Sequence, residues 1–198
     1  TKEALQQIEL EEDIKNSSTV VYHPSWHKGV IGIVASRLIE KYYRPTVVLS
    51  KSNKVLAGSA RSISDFDIYK AMEACKNSMI QFGGHKYAAG LTLNPEKLKA
   101  FKESFESYVK DHILPEQKEP SISYDMDISF VDISSKLLRI INQMAPFGPK
   151  NMRPVFVTHN CKDMGGCRVL GNDKTHLGLD VSDPSGIRLS GIGFGLGH

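Results

Sequence analysis

The sequence has few cysteines and no long apolar run, and both shortages limit what the protein can be. Cys75, Cys161 and Cys167 make an odd number in a chain too large to depend on disulfides, so we expect a reducing compartment, the cytoplasm. No stretch approaches the roughly 20 apolar residues that cross a bilayer, and the N-terminus lacks the pattern of a signal peptide. The sequence therefore predicts a soluble globular protein without a membrane partner.

The sequence also lacks the signatures of several enzyme classes. It contains no nucleophile elbow, no Walker loop and no dinucleotide-binding fingerprint. Cys161 and Cys167 are too far apart for a zinc knuckle and have no matching second pair. His23 and His27 have the spacing of a metalloprotease pair, but Pro24 lies between them and a helix is needed to bring such ligands together. We therefore expect no metal site in this chain.

The remaining composition is that of an ordinary folded protein with a slight excess of positive charge. The chain is 40% hydrophobic and 24% charged, with a mean hydropathy of −0.26. These values argue against disorder and against collagen-like repeats. The net charge of +3 permits an anionic partner without requiring one.

A charged segment flanked by prolines divides the chain at residues 115–120, and we interpret it as a linker. Residues 1–18 are polar and acidic and are expected to form the end of a connector helix with little core of its own. Residues 19–114 are expected to form an α/β domain with a mixed sheet. Residues 121–198 are expected to form a β-rich barrel of the OB type, incomplete because the sequence stops directly after a strand-like run.

Apolar spacing predicts the elements of both domains. In the first domain we expect strands at 19–22, 46–49, 55–57 and 88–93, and helices at 30–43, at 68–79 and from Asn94-Pro95 onward. In the second domain we expect a half-buried strand at 122–128, a short helix around Leu137, and β-like runs at 155–159, 168–170, 176–181 and 187–194.

Two glycine-rich motifs in the first domain carry the chemistry. In the first, Gly58 and Ser59 are followed by Arg61 and Ser62, which combine an exposed backbone with hydroxyl and guanidinium donors. A bland alternative is a turn that follows a strand.

The second motif is Gly83-Gly84-His85 followed by Ala88-Ala89-Gly90, which places small residues beside a histidine. Close backbone packing explains these small residues equally well. Neither motif contains a carboxylate, so together they predict a site that binds a phosphate rather than a metal.

Weaker candidates lie elsewhere in the chain. His27 precedes a helix whose first N–H groups could bind an anion, although a histidine that caps the turn is the alternative. In the second domain Phe156 could stack a base and Arg153 could bind a phosphate, although most aromatics in so small a barrel belong to its core.

Four motifs occur in one order in the first domain: Trp-His-Lys-Gly-Val-Ile-Gly at 26–32 continuing to Leu38, Arg44-Pro45, the motif at 58–62, and the motif at 82–90. Their order and spacing resemble the DHH-associated domain of RecJ-type exonucleases, which are specific for single-stranded DNA. The run Met144-Ala145-Pro146-Phe147-Gly148, followed by Asn151 and by Pro154-Val155-Phe156, resembles the start of the RecJ OB domain. The resemblance covers nearly the whole chain.

The resemblance implies part of a 5′→3′ exonuclease that hydrolyses single-stranded DNA in repair and recombination. It implies that Mn²⁺ or Mg²⁺ is bound by a DHH domain that this sequence does not contain. It assigns phosphate binding to Gly58, Ser59, Arg61, Ser62, Gly83, Gly84 and His85, with an assisting role for His85 and no catalytic residue in this chain. Partners would be single-stranded DNA and a single-strand-binding protein or helicase.

Some residues depart from the family pattern, and other functions stay open. Ala60 stands where the family often has glycine, and alanine slightly stiffens the phosphate-binding motif. Lys150 and Met152 stand where the family usually has glycine and proline, which puts the local turn of the barrel and its DNA contact in question. One alternative is a phosphodiesterase of the DHH superfamily that acts on short oligonucleotides or cyclic dinucleotides. Another is a non-catalytic module that binds nucleic acid. As part of a RecJ-like exonuclease, residues 1–198 alone are expected to bind single strands weakly and to cleave nothing.

Overall fold

The computed structural model describes residues 1–10 and 15–197, which separate into two compact units. Unit 1 is Thr1–Pro120 and unit 2 is Ser121–His198. Residues 11–14 of the predicted connector helix, and His198 at the end of the predicted barrel, lie outside the described residues. Each unit has its own sheets and is described by itself.

Unit 1 combines four helices with one mixed sheet among its described residues. Its elements are α1 (Lys2–Leu10), β1 (Thr19–His23), α2 (Ile31–Tyr42), β2 (Thr46–Ser52), β3 (Val55–Arg61), α3 (Ile68–Ala74), β4 (Gln81–His85), β5 (Ala88–Leu93) and α4 (Leu98–His112). Short 3-10 turns occur at Lys76–Ser78, Pro95–Lys97 and Pro115–Gln117.

The strands of unit 1 follow the order β1-β2-β3-β5-β4. β1 and β2 are parallel and are connected through α2, whereas all other neighbours are antiparallel. α2 ends where Tyr43 adopts a left-handed conformation with φ of 42°, immediately before Arg44-Pro45. Proline disfavours helical geometry in the residue before it, so the sequence ends the helix and starts β2 at this point.

Helices cover the two faces of the sheet unequally. On one face α3 and α4 pack Ile68, Met72, Phe101 and Phe105 across the sheet to form the larger core. On the other face α1 and α2 pack on β1 and β2, where Ala4, Ile8, Ile31, Ala35 and Leu38 surround Val21 and Val48. The part of this second face that lies on β5 and β4 is exposed at Gly83, His85 and Gly90.

The predicted α/β class with a mixed sheet is confirmed, with local corrections. The predicted helix at 68–79 stops at Ala74, because the chain tightens into a 3-10 turn there. The N-terminal helix does contribute to a core, since Ala4 and Ile8 are fully buried. The motif at 58–61 is not a turn but the second half of β3, and Gly83-Gly84-His85 belongs to β4, which apolar spacing did not predict.

Unit 2 is rich in short strands. Its elements are β6 (Met126–Asp127), a 3-10 turn (Phe130–Asp132), α5 (Ser135–Gln143), β7 (Phe156–Val157), β8 (Lys162–Asp163), β9 (Arg168–Leu170), β10 (His176–Ser182) and β11 (Arg188–Gly193). β10 pairs with β11 on one side and with β8 and β9 on the other, while β6 and β7 form a separate parallel pair. The strands of the described residues do not close into a barrel.

The prediction of a half-buried strand at 122–128 is wrong. Only β6 is a strand there, and Ile122, Tyr124 and Met126 are all exposed. The alternation of apolar and polar residues exists, but the described part of unit 2 provides no core for its apolar face to pack against. No helix among the residues the structure describes is long and apolar enough to cross a membrane.

A buried carboxylate fixes the loop before β11. Asp183 is 5% exposed and accepts hydrogen bonds from Ser129 Oγ, the Phe130 N–H, and the N–H and Oγ of Ser185. Burial acts to raise the pKa of Asp183, but these donors outweigh it and lower the pKa from 3.8 to about 2. The charged carboxylate therefore connects this loop to the residues before α5.

Candidate nucleic-acid interface

The register of the sheet places both predicted motifs on the same face. Residues that pair across neighbouring strands project to the same side of a sheet. Three rows of paired residues cross β3, β5 and β4 on this face. The first row is Arg61, Ala88 and His85, and the second is Ser59, Gly90 and Gly83. The third row is Ala57, Thr92 and Gln81. Arg61 and His85 are two strands apart, so their Cα atoms are roughly 10 Å from each other.

We call the part of this face on β5 and β4 the open shelf: Gln81, Gly83, His85, Ala88, Gly90 and Thr92. Gln81, Gly83, His85 and Gly90 are exposed, and the other two are half-buried. A Cβ added at Gly83 would meet no atom within 4 Å, and one at Gly90 would meet only the Gly58 carbonyl oxygen at 4.0 Å. At Gly83 and Gly90 the floor of the open shelf is therefore bare backbone that a ligand can approach closely.

Arg61 borders the open shelf on the side of α2. Its Nη1 donates to Ser59 Oγ at 2.9 Å and to the Ala60 carbonyl oxygen at 2.9 Å. A Cβ built on Gly32, the second residue of α2, would lie 2.7 Å from Arg61 Nη2 and 3.2 Å from Ser59 Oγ. The guanidinium therefore lies against the first turn of α2, and in the described part of the chain it forms no ion pair.

His85 borders the open shelf at the end of β4. Its Nδ1 accepts a hydrogen bond from the Tyr87 N–H at 3.3 Å, so the neutral ring carries its proton on Nε2. The ring also contacts Tyr87 edge to face, with centroids 6.4 Å apart. The Nε2–H of an exposed histidine held in this way can donate to a phosphate oxygen.

The other predicted glycines have packing roles. A Cβ on Gly84 would lie 2.2 Å from the Ala88 carbonyl oxygen, so β4 and β5 can pair here only through glycine. A Cβ on Gly58 would lie 2.7 Å from side-chain atoms of both Leu49 and Leu91, on the face that α3 and α4 cover. The alternative interpretation, close backbone packing, thus describes these two glycines, whereas Gly83 is open.

Ser62 and His27 are both engaged locally. Ser62 Oγ donates to the Phe66 carbonyl oxygen at 2.6 Å, and the Ser62 N–H donates to the Tyr87 carbonyl oxygen, which fixes the turn between β4 and β5. His27 is exposed, and its Nδ1 accepts from the Gly29 N–H at 3.1 Å in the turn before α2. His27 thus caps this turn, the alternative considered from the sequence.

In unit 2 the two candidate residues lie close in sequence but differ in setting. Arg153 is exposed, and its guanidinium lies over the Phe147 ring, 5.0 Å from the ring centroid. Phe156 is half-buried in β7. An arginine stacked on an aromatic ring can still bind phosphate with its remaining donors.

The donors around the open shelf suit an anion and do not suit a divalent metal. They are a guanidinium, hydroxyl groups, an imidazole N–H and backbone N–H groups, which all interact with phosphate oxygens. Divalent cations such as Mg²⁺ and Mn²⁺ prefer carboxylate and carbonyl oxygens. Within residues 1–10 and 15–197, no cluster of three or more His, Cys, Asp or Glu side chains could hold a metal ion.

Comparison with known protein families shows the family to which the chain belongs. The model of the DHHA1 domain matches residues 15–111, and the model of the RecJ OB domain matches residues 124–198. The chain belongs to the RecJ family. Its similarity extends to the single-stranded-DNA-specific exonuclease RecJ of Bacillus subtilis (strain 168), 30% identical over 200 residues, which span 100% of this chain and 25% of that protein. The enzyme of the same name from Escherichia coli (strain K12) is 30% identical over 78% of this chain and 28% of its own length.

Solved structures agree with this RecJ membership. RecJ from Thermus thermophilus in complex with Mg²⁺ superposes with a TM-score of 0.68 at 22% identity, over 95% of this chain and 29% of that one. An exonuclease RecJ bound to manganese gives a TM-score of 0.51 at 30% identity, over 59% of this chain and 30% of that one. The chain spans about a quarter of the length of the RecJ relatives that it matches.

The open shelf and its border include residues that the sequence interpretation did not assign to the site. Gly32 lies against the Arg61 guanidinium, and Gln81 and Thr92 belong to the third row of paired residues. The sequence did mark Gly32 as part of a helix start, but only the register of β3, β5 and β4 shows which side chains share a face. The contact between Gly32 and Arg61 joins a helix to a strand, and no signal in the sequence alone could have found it.

Proposed function

We propose that unit 1 binds the sugar-phosphate backbone of single-stranded DNA on the open shelf, within a RecJ-type 5′→3′ exonuclease. One observation carries the proposal: the register that places Arg61, Ser59, Gly83, Gly90 and His85 on one face of the sheet. The row next to Arg61 and His85 has no side chain at Gly83 and Gly90, so a phosphate can reach the backbone beside these two donors. The match of the RecJ OB domain at 124–198 favours this proposal over a phosphodiesterase that lacks a barrel.

In this proposal the chain holds the substrate and does not cleave it. Arg61 Nη2 and Nε donate to phosphate oxygens, and Ser59 fixes the guanidinium through Nη1. His85 donates from Nε2 and holds the strand at the other edge of the open shelf. Hydrolysis would take place at divalent metals bound by a DHH domain outside this chain, and we assign no step of it to the residues described here.

The wider biology follows from the RecJ resemblance and is part of the same proposal. It comprises action in repair and recombination, a cytoplasmic location, and a single-strand-binding protein or helicase as partner. The domain boundaries at 19–114, 115–120 and 121–198, with a second single-strand-binding surface around Arg153 and Phe156, are also proposed.

Substitution of Arg61 tests the proposal directly. Fluorescence anisotropy would follow the binding of a labelled DNA oligonucleotide over a range of salt concentrations. Arg61→Ala loses one phosphate contact to the single strand, so the negative slope of log K against log salt should become shallower by about 0.7. Arg61→Lys should keep most of the slope but bind more weakly, because lysine lacks the planar fork.

Lys99→Ala is a matched control, since it removes one positive charge from the opposite helical layer. It should leave the slope unchanged. A dinucleotide and a cyclic dinucleotide serve as competitors. If either displaces the oligonucleotide at a lower concentration than unlabelled DNA does, the phosphodiesterase alternative is favoured. An Arg61→Ala slope equal to that of the unmodified chain would refute the proposed role of the open shelf.

A further inference from the structure

The contact between Arg61 and the start of α2 is unusual because both partners are positive. A helix N-terminus has a partial positive charge from its unpaired N–H groups. Val30, the N-cap residue of α2, has no side-chain hydrogen bond to the first turn. Arg61 Nη2 lies where a Cβ of Gly32 would be only 2.7 Å away, and no carboxylate pairs with Arg61 in the described residues. The fold thus holds a cation against a positive helix end, an arrangement that an anion stabilises.

Gly32 makes this arrangement sterically possible. Any other residue at this position would place its Cβ in the space that Nη2 occupies and within 3.2 Å of Ser59 Oγ. The atom that a Cβ displaces is the end of a flexible side chain and not part of the backbone. Alanine should therefore leave α2 and the sheet intact while it moves the guanidinium away from the helix.

We propose that Gly32 is a positioning residue for Arg61, and so for the phosphate bound at the border of the open shelf. Its missing side chain lets the guanidinium lie against the first turn of α2. Ser59 accepts from Nη1, and this hydrogen bond leaves Nη2 and Nε for the ligand. The phosphate then contacts the guanidinium and the first N–H groups of α2 together. This inference rests on the proposed function and adds a residue to which the sequence interpretation gave no role.

A double-mutant cycle tests the inference with the whole chain and a labelled DNA oligonucleotide as the probe. The four proteins are the unmodified chain, Gly32→Ala, Arg61→Ala and the double variant. Gly32→Ala should weaken binding about tenfold, as expected for a lost contact to a charged group, and should make the negative salt slope shallower by about 0.7. In the double variant, Gly32→Ala should add no further loss to that of Arg61→Ala.

A spectroscopic measurement separates positioning from a general structural effect. The side-chain Nε–H resonance of Arg61, assigned by its loss in Arg61→Ala, should shift in Gly32→Ala while the backbone amide resonances of β5 stay in place. Ser36→Ala is the control on the same helix, one turn further along, and should leave both the Arg61 resonance and binding unchanged. The melting temperature of Gly32→Ala should be equal to or above that of the unmodified chain, because alanine favours helix more than glycine.

Two results overturn the inference in distinguishable ways. If Arg61→Ala weakens binding and Gly32→Ala has no effect, or has an effect that simply adds to it, Gly32 does not act through Arg61 and only this inference fails. If Arg61→Ala itself binds like the unmodified chain, the proposed function of the open shelf fails, and the role of Gly32 fails with it. If Gly32→Ala does not fold, Ser59→Ala tests the same positioning of Arg61, because it removes the hydroxyl that accepts from Arg61 Nη1. If the binding losses of Ser59→Ala and Arg61→Ala then simply add, the inference is overturned.

Discussion

Gly83 and Gly84 are neighbours in β4, and the structure predicts opposite consequences when each is changed to alanine. A Cβ at Gly84 would lie 2.2 Å from the Ala88 carbonyl oxygen and 2.5 Å from Ala89 Cα. Carbon–oxygen contacts in sheets are normally about 3.3–3.6 Å, so the backbones of β4 and β5 must separate by about 1 Å. Overpacking of this kind costs about 1–3 kcal/mol, and we expect about 3 kcal/mol because backbone rather than a side chain must move.

For Gly83→Ala the expected result is the reverse. No atom lies within 4 Å of the added methyl group, and alanine in a strand is favoured over glycine by about 0.5–1 kcal/mol. The free energy of unfolding should therefore stay the same or rise. The methyl group projects about 1.5 Å above the floor of the open shelf, so binding of the DNA oligonucleotide should weaken.

Trp26 provides the assay, because it is the only tryptophan in the sequence and lies in unit 1. Its indole N–H donates to Glu3 at 2.7 Å, so its emission should change when unit 1 unfolds. A loss of about 3 kcal/mol should lower the melting temperature of Gly84→Ala by roughly 10 °C. If Gly84→Ala is as stable as Gly83→Ala, or if Gly83→Ala binds DNA normally, the assignment of packing to one glycine and binding to the other is wrong.

Two further predictions concern carboxylates that join distant segments. Glu106 on α4 accepts hydrogen bonds from the N–H groups of Ser17 and Ser18, both at 2.8 Å, and from Ser18 Oγ. Glu106→Ala should therefore lower the free energy of unfolding of unit 1 by about 2 kcal/mol. Urea unfolding followed by Trp26 emission measures this loss. Exposed Glu103→Ala on the same helix should have little effect. The pKa of Asp183 is lowered in the folded state, so its carboxylate stabilises the folded form fully above the unfolded pKa of about 3.9. This stabilisation is lost as the pH falls toward 2. Asp183→Asn should therefore destabilise unit 2 at neutral pH and make its stability depend less on pH between pH 4 and pH 2. Circular dichroism measures both effects. If the stability of Asp183→Asn falls with acid as steeply as that of the unmodified chain, the prediction is wrong.

The sequence predicted those parts of unit 1 in which apolar spacing is strong. The helix beginning near Val30 and the strand at 46–49 were found because their apolar residues face two cores, as Leu38 and Leu49 do. β4 was missed because glycine has low strand propensity, and its pairing with β5 depends on the space that Gly84 leaves. Residues 58–61 belong to β3 for a similar reason, since Gly58 fits between Leu49 and Leu91.

The candidate site was predicted in its residue types but not in its geometry. Arg61 and His85 were selected because their chemistry suits phosphate, yet no local pattern shows that β3, β5 and β4 bring them to the same face. The role of Gly32 depends on a contact between a helix and a strand, which a linear sequence does not contain. In unit 2 the alternation at 122–128 predicted burial that the described residues do not provide.

Under the proposed function, the glycine floor at Gly83 and Gly90 has a consequence for which strands can bind. Gly83 and Gly90 offer only backbone, and backbone groups cannot tell one nucleobase from another as side chains do in a groove. A nucleotide of any kind would meet the same surface when it occupies this position. The proposed exonuclease would gain from such a surface, because all four bases would meet the same contacts as it moves along a strand.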